Sequence, residues 1–365
     1  MNPTFWKGRR VLVTGHTGFK GAWLCLLLHR MGATTAGYAL DPPGHPSLFE
    51  QASVSSTLAR DTRADVRDLD RLRNEVREVA PEVVIHMAAQ SLVRPSYEDP
   101  VETFSSNVQG TVNLLEAVRH STSVQSAVVV TSDKSYRSEE WVWGYRENDR
   151  LGGKDPYSAS KAASELIVES YRSSFFGVDA HEAARVGSAR AGNVIGGGDW
   201  SEMRLLPDLM RGFITGEEVV IRSPRAVRPW QHALEPLAGY LLLAERLQER
   251  TPGADAAWNF GPEDGDMRTV GWVCDRASGL WGEPAAWRVE EIDDGRETAL
   301  LRLDTTKARQ QLGWRPHWEL ETGLDRTISW YRTVGRDPSP SSRAREATMS
   351  DIEAFLDTPP PTRAL

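Results

Sequence analysis

Short apolar runs and longer amphipathic stretches alternate through the first half of the chain. VLVTG (11–15) is a continuous apolar run of strand length, followed by KGAWLCLLLHRMG (20–32), a helix-length stretch closed by Gly32. TTAGYAL (34–40) reads as a second strand. DLDRLRNEVREVA (68–80) carries apolar residues at helical spacing and stops before Pro81. VVIHMAA (83–89) and SAVVVTSD (126–133) are two further strands. VETFSSNVQGTVNLLEAVRH (101–120) and PYSASKAASELIVESYRSSF (156–175) are long helices, the second with Pro156 near its start, where a missing N–H costs nothing. Strands that alternate with helices predict βαβ units and a parallel sheet, with ligands at the carboxyl ends of the strands. The expected fold is therefore α/β: a Rossmann-type doubly wound parallel sheet over residues 1–186.

After about residue 187 the rhythm loosens. Glycine, proline and tryptophan become frequent and strands are short. This predicts a smaller, irregular α/β substrate-binding domain over 187–334, able to interleave with the first. Beyond it, GRDPSPSSRAREATMS and TPPPT are polar and proline-rich, which predicts a loosely held tail over 335–365.

Composition narrows the function classes. A chain of 365 residues suits one large domain or two. A net charge of −8 argues against a general nucleic-acid or anionic-membrane binder, since both need a basic face. The only cysteines are Cys25 and Cys274, and no Cys/His cluster occurs, so neither a disulfide framework nor a bound metal is expected. The first residues lack a signal-peptide pattern, and AWLCLLL (22–28) is too short to span a bilayer. A soluble, cytoplasmic protein is the expectation.

Candidate chemistry begins where the first strand ends. Gly15-His-Thr-Gly18-Phe-Lys-Gly21 has strand before it and helix after it. Glycines so placed allow a tight turn and let backbone N–H groups approach a pyrophosphate at the helix N-terminus. Gly15, Thr17, Gly18, Phe19 and Gly21 are the candidate cofactor loop. Asp41 lies twenty residues past Gly21, at the end of the second strand. A carboxylate there accepts from a ribose 2′-OH and repels a 2′-phosphate, so NAD is favoured over NADP. Asp65 and Val66 are candidates for the adenine end. Ala88 and Ala89 are small enough to let the cofactor pass the strand end. His16 either touches phosphate or fills the turn; His86 reads as a core histidine.

Tyr157 and Lys161 are one helical turn apart and share a face. An ammonium beside a phenol favours the phenolate, which makes tyrosine a base able to take a proton from a sugar hydroxyl. Lys161 can also hold ribose hydroxyls.

With these residues the chain resembles the extended short-chain dehydrogenase/reductase superfamily. The match sharpens over VTGHTGFKG (13–21), HMAAQ (86–90), TSDKSY (131–136), EWVWGYRE (140–147), DPYSASK (155–161), RAGNVIGGGDW (190–200), RPWQH (228–232) and WNFGP (258–262). Together these resemble the CDP-glucose 4,6-dehydratase family over residues 5 to about 330. One departure is visible: the family usually has cysteine where Ser135 stands. The two are similar in size, and little effect is expected.

The resemblance implies a use for TSDK, where an acid and a base side chain follow an apolar strand. A 4,6-dehydration removes hydride from C4 and a proton from O4. It then takes the acidified C5 proton while an acid protonates the departing 6-hydroxyl, and hydride returns to C6. Ser132, Tyr157 and Lys161 fit the first step. By resemblance Asp133 is the acid and Lys134 the C5 base, which requires a lysine that can give up its proton; burial and nearby positive charge favour that. Adjacent strand residues point to opposite faces, so the strand must bend after Ser132 for both to serve one sugar. For the substrate, an NDP-hexose with CDP-glucose favoured, the candidate contacts are Gln90, Asn107, Asn193, Arg228 and Trp230. Arg228 and Asn193 are expected at the diphosphate. Trp141, Trp143 and Trp200 are further stacking candidates, though most of the thirteen tryptophans should be core. The long helices 101–120 and 156–175 suit a homodimer or dimer of dimers, as in relatives. A 4-epimerase or decarboxylase of the same superfamily needs the Tyr–Lys pair but no acid/base pair at 133 and 134. A non-catalytic dinucleotide sensor needs neither.

Overall fold

The computed structural model describes residues 1–139, 141–177, 184–290, 301–335, 339 and 342–358. Its centre is a seven-stranded sheet in which every pairing is parallel. Strands β1 (Arg10–Thr14), β2 (Thr34–Ala39), β3 (Arg60–Arg63), β4 (Val83–His86), β5 (Ser126–Val130) and β6 (Arg185–Ala191) are joined by a last strand, Ala257–Phe260. Across the sheet the order runs Ala257–Phe260, β6, β5, β4, β1, β2, β3. The order reverses between β1 and β4, which is the crevice where a doubly wound sheet takes its ligand. β4 and β5 are buried along their whole length, and β1 everywhere but Arg10. Helices cover both faces, so these strands read as unbroken apolar runs.

On one face the helices Phe19–Arg30 and Leu234–Gln248 enclose a core with Trp23, Leu26, Val128, Ala189 and Leu241. On the other, Leu69–Val79, the helical run 100–119 and Pro156–Phe175 pack through Leu72, Val76, Leu114, Leu115 and Val168. The run 100–119 is one helix with a π-turn over Ser105–Gln109. β3, absent from the sequence reading, is RDTR at the sheet edge. It has one neighbour and no buried residue, so no apolar run marks it.

The expected boundary at 186 falls inside β6, and the helix 234–248 and strand 257–260 belong to the sheet layer. The chain thus returns to the sheet layer after residue 187. The remainder carries three two-stranded pieces: Val194–Ile195 with Gln231–His232, Val227–Pro229 with Met267–Thr269, and Val219–Ile221 with Trp287–Val289. Most tryptophans here are structural: Trp230, Trp258, Trp314, Trp318 and Trp330 are buried in one cluster.

The C-terminal segment differs from the loose tail its composition predicts. Ser342–Asp357 form a helix that buries Ala344, Thr348, Ile352 and Phe355 against Leu320–Val334 and Phe19–Arg30. The buried positions recur every three or four residues, so a helical stripe exists inside a polar average. Residues 359–365 lie outside the described residues.

Candidate active site

β1 delivers the chain into the glycine loop. Gly15 has φ +75°, and a Cβ there would stand 2.6 Å from the Ala88 backbone nitrogen; one on Gly21 would stand 2.1 Å from the Gly15 carbonyl. Only glycine lets the loop, the following helix and the end of β4 pack this closely. The helix Phe19–Arg30 starts at Gly18 with no side-chain cap, leaving backbone N–H groups for an anionic ligand. Phe19 and Ala88 flank this mouth as half-buried residues packed on the core clusters, and Ala89 beside them is likewise half-buried. Thr17 donates to the Leu40 carbonyl at 2.9 Å. The loop thus has the shape and donors that a dinucleotide pyrophosphate requires.

Asp41, expected at the adenosine ribose, is exposed, with the Arg63 guanidinium 3.7 Å away. Arg63 also pairs with Asp61 at 3.0 Å, and Asp61 accepts His16 at 2.8 Å. His16 is fully buried over Gly37 and fills the turn. Asp65, expected to meet adenine, spends its carboxylate on Arg67: the guanidinium Nε lies 2.9 Å from one oxygen and 3.0 Å from the other. Those bonds hold the Asp65 carboxyl below its usual range. Val66 is buried, and its carbonyl accepts Asn113 at 2.9 Å.

The residues expected to carry the reaction follow β5. The strand stops at Val130, and Asp133–Ser135 form a single 3₁₀ turn. The Ser132 hydroxyl caps it by accepting the Lys134 N–H at 3.2 Å. Leaving strand geometry removes the alternation that would send Asp133 and Lys134 to opposite faces. The Ser135 hydroxyl donates to the Ser132 carbonyl at 2.7 Å and tightens the turn.

Asp133 is 2% exposed. One carboxyl oxygen accepts the Ser132 hydroxyl at 3.0 Å; the other has no hydrogen-bond partner among the described residues. Burial pushes the carboxyl above its ordinary range, although Lys134 and Arg228 pull it down. A protonated carboxyl is the form an acid catalyst needs. Gly192, from β6's end, packs so closely that a Cβ would meet the Asp133 oxygen at 2.8 Å. The strand ends carrying Ser132, Asn193 and Arg228 therefore converge on this carboxyl. Lys134 is half-buried.

Tyr157 and Lys161 come from the helix Pro156–Phe175, capped by Asp155. Both are buried. Lys161 donates to the Val130 carbonyl at 3.3 Å. Burial, aided by the charge of Lys20, pushes its ammonium down to about 7. The expected lowering of the Tyr157 phenol is not what burial alone produces. Desolvation pushes the phenol up, and the Ser132 hydroxyl pulls it back. Loss of hydration on a shielded phenolate outweighs that hydroxyl and the Arg204 cation.

Three expected substrate contacts are committed elsewhere. Asn107 uses its amide as a brace, accepting the Gln90 N–H at 2.8 Å and donating to the Gln90 carbonyl at 2.9 Å and Ser160 at 2.8 Å. Gln90 turns inward, donating to the Leu92 carbonyl at 2.9 Å and Thr103 at 3.0 Å. Trp230 is buried with its indole N–H on the Arg268 carbonyl at 3.2 Å. Each satisfies a buried polar group inside the fold. Trp200 likewise packs on Tyr331 and donates to Gln51 at 2.8 Å. Trp141 stacks edge-on with Trp143 and Tyr145, and Trp143 is exposed. His86 is the core histidine expected, held to Thr14 at 2.7 Å and pushed down to about 3 by burial.

Sequence reasoning missed several neighbours of the site. Lys20, inside the glycine loop, reaches the Tyr240 hydroxyl at 3.5 Å, and burial together with Arg204 pushes its ammonium down to about 8. A lysine in a loop meant for close backbone approach was the available signal. Glu165 and Arg190 form a buried ion pair at 2.8 Å behind the reactive turn. Glu165 stands one turn beyond Lys161, which was the clue to its side of the helix.

Residues 11–261 match the NAD dependent epimerase/dehydratase family, and the chain belongs to it. NAD is the cofactor of that class, and the uncapped helix and glycine cradle fit it. Within the family, the chain is 50% identical over 334 residues to the CDP-glucose 4,6-dehydratase of Salmonella typhimurium, covering 91% of this chain and 93% of that one. It is 30% identical to the dTDP-glucose 4,6-dehydratase of Streptomyces griseus, over 88% and 93% of the two chains. Among solved structures, a UDP-glucose 4-epimerase from Thermotoga maritima superposes with a TM-score of 0.77 at 22% identity, covering 88% of this chain and 98% of that one. At that identity the likeness speaks for the fold.

Proposed function

We propose that this protein is an NAD-retaining nucleotide-sugar 4,6-dehydratase, a hydro-lyase acting on CDP-glucose. When bound, NAD supplies a hydride acceptor for C4 and a donor for C6. Everything else falls to the chain's own groups. Tyr157 takes the O4 proton, with Ser132 at its hydroxyl and Lys161 holding the nicotinamide ribose. Asp133 protonates the departing 6-hydroxyl, and Lys134 removes the C5 proton and returns it. Arg228 and Asn193 hold the diphosphate; a guanidinium matches phosphate geometry better than an ammonium does. Gly15, Gly18 and Gly21 admit the pyrophosphate, and Asp41 takes the adenosine ribose.

The observation that carries this reading is Asp133: a buried carboxyl, raised toward its protonated form, with a free oxygen at the strand end that also holds Ser132. A 4-epimerase has no use for such an acid. The 50% identity to a CDP-glucose dehydratase supports the nucleotide. We also assign the protein to the cytoplasm as a homodimer or dimer of dimers. No described helix is long and apolar enough to cross a membrane. Val101, Phe104, Leu166 and Phe175 stand exposed on the two long helices, an apolar surface suited to a second copy.

The test is a product scan by mass spectrometry with NAD and, separately, CDP-, dTDP-, UDP- and GDP-glucose. Loss of one water from the CDP-sugar, without accumulating NADH, is expected. Products of unchanged mass only would point to epimerisation and overturn the reading.

A further inference from the structure

The residues assigned to sugar oxidation come from two elements. Ser132 and Asp133 follow β5, whereas Tyr157 and Lys161 lie on the helix Pro156–Phe175. Oxidation at C4 needs both sets at one sugar, so the spacing between strand end and helix has to be fixed.

Two side chains of the helix grip the strand end, one turn apart. Lys161 donates to the Val130 carbonyl at 3.3 Å. Glu165, four residues on and on the same face, accepts the hydroxyl of the next residue, Thr131. Successive turns of the helix thus clip successive residues of the chain, and the residue after Thr131 is Ser132. The Thr131 hydroxyl also lies 3.4 Å from the Ala189 carbonyl, a longer contact. A hydroxyl has one proton to give, and the carboxylate is the stronger acceptor. Glu165 is itself anchored, because Ser188 and Arg190 of β6 donate to it at 2.7 and 2.8 Å. Arg190 and these donors keep Glu165 below its usual range, and so an acceptor.

Packing alone does not ask for a hydroxyl at position 131. Ala127 and Val129 of β5 are buried in one cluster with Val168 of the helix. Side chains alternate along an extended chain, so position 131 is next on that face. An apolar residue would continue the stripe, yet the chain has a threonine there, buried and fastened to a carboxylate.

We propose that Thr131 is a positioning residue for the oxidation step: its bond to Glu165 sets Ser132 against the Tyr157–Lys161 pair. The proposal rests on the dehydratase reading for the step it serves. Thr131 acts through its neighbours and need not touch sugar or cofactor. Misplacing reacting groups by about 1 Å costs on the order of a hundredfold in rate, so losing one clip slows hydride transfer without weakening sugar binding.

Steady-state kinetics of NAD-loaded enzyme with CDP-glucose, unlabelled and deuterated at C4, test this. Thr131→Val keeps the shape, suits the apolar face and deletes the hydroxyl. It should lower kcat by roughly ten- to a hundredfold, with KM changed by no more than about twofold. The C4 isotope effect on kcat should reach its full primary size, because oxidation then limits turnover. Thr131→Ser restores the hydroxyl and should recover most of the rate. Ser188→Ala removes a different donor from the same carboxylate, and should lower thermal stability while kcat stays within about twofold of wild type. If valine is not accommodated, Thr131→Ala carries the same expectations. Near-normal kcat in Thr131→Val, an equal loss in Thr131→Ser or Ser188→Ala, or an isotope effect smaller than that of wild type would each overturn the positioning role. A wild-type enzyme that leaves CDP-glucose unconverted would overturn the dehydratase reading itself, which separates the two failures.

Discussion

Two buried carboxylates lie on either side of the turn that ends β5, and they live by opposite rules. Glu165 accepts hydrogen bonds from Thr131, from Ser188 at 2.7 Å and from Arg190 at 2.8 Å. Burial pushes it up, yet Arg190 and these donors outweigh burial, so it sits below its usual range and stays ionised. Asp133 has one donor, its neighbour Ser132, and an unpartnered oxygen. Burial wins there, and the neutral form is favoured. The partners each carboxylate is given, rather than its depth, decide its state. Glu165 is scaffold. Through Arg190 it reaches the Tyr136 hydroxyl at 2.7 Å, so one ion pair ties the helix of Tyr157 and Lys161 to the turn of Asp133. Asp133 keeps one oxygen without a hydrogen-bond partner among the described residues, as the acid proposed here requires.

The contrast breaks most visibly at Glu165. Glu165→Ala strands the Arg190 guanidinium in the core, and loss of one partner of a buried pair costs about 3–5 kcal/mol. Thermal or urea unfolding should show a loss of that size, and a loss below about 1 kcal/mol, the level of an exposed pair, would mean the pair is not structural. Asp133→Asn should cost no stability at neutral pH while dehydration is lost.

The pH dependence sharpens the same contrast, because the two signs are opposite. Asp133 has a folded pKa above its unfolded value, so the folded state binds the extra proton. Its contribution is present in acid and is lost as pH rises from the unfolded value through the folded one. Asp133→Asn removes that loss, so the variant should gain on the wild type as pH rises above about 4. Glu165 has a folded pKa below its unfolded value. Its contribution is present above about pH 4.3 and is lost as pH falls through the folded value. Stability curves in which Asp133→Asn tracks the wild type at every pH would refute the raised Asp133 carboxyl.

The smallest effect is expected at the cofactor's far end. Asp41→Ala removes one exposed hydrogen-bond acceptor, about 0.5–1.5 kcal/mol, and should weaken NAD several-fold. It should also relax discrimination against NADP, since Arg63 remains beside the vacated position. Unchanged relative affinities for the two dinucleotides, measured by titration, would move the ribose contact away from Asp41.

How much of this was readable in the chain depends on burial. β1, β4 and β5 announce themselves because both faces are covered and nearly every residue is apolar. β3 is an edge strand of polar residues, and nothing in RDTR distinguishes it from a loop. The C-terminal helix was hidden by averaging: its stripe of Ala344, Thr348, Ile352 and Phe355 is regular, but the surrounding residues are charged. At the proposed site, the glycine loop and the Tyr–Lys pair could be put forward from the chain because their chemistry depends on short-range spacing. The hydrogen bonds of Gln90, Asn107 and Trp230 could not be read there, because their partners come from elsewhere in the chain. The bend that frees Asp133 and Lys134 from strand alternation was demanded by the chemistry, and the turn at 133–135 supplies it.

The central claim is that Asp133 is the acid of a dehydration that begins with sugar oxidation. The most direct measurement is a stopped-flow absorbance trace of Asp133→Asn holoenzyme mixed with CDP-glucose. Reduced nicotinamide should rise and persist, with no dehydrated sugar formed, because oxidation proceeds and water loss stalls. Normal yield of dehydrated product from that variant, with no build-up of the reduced cofactor, would contradict it.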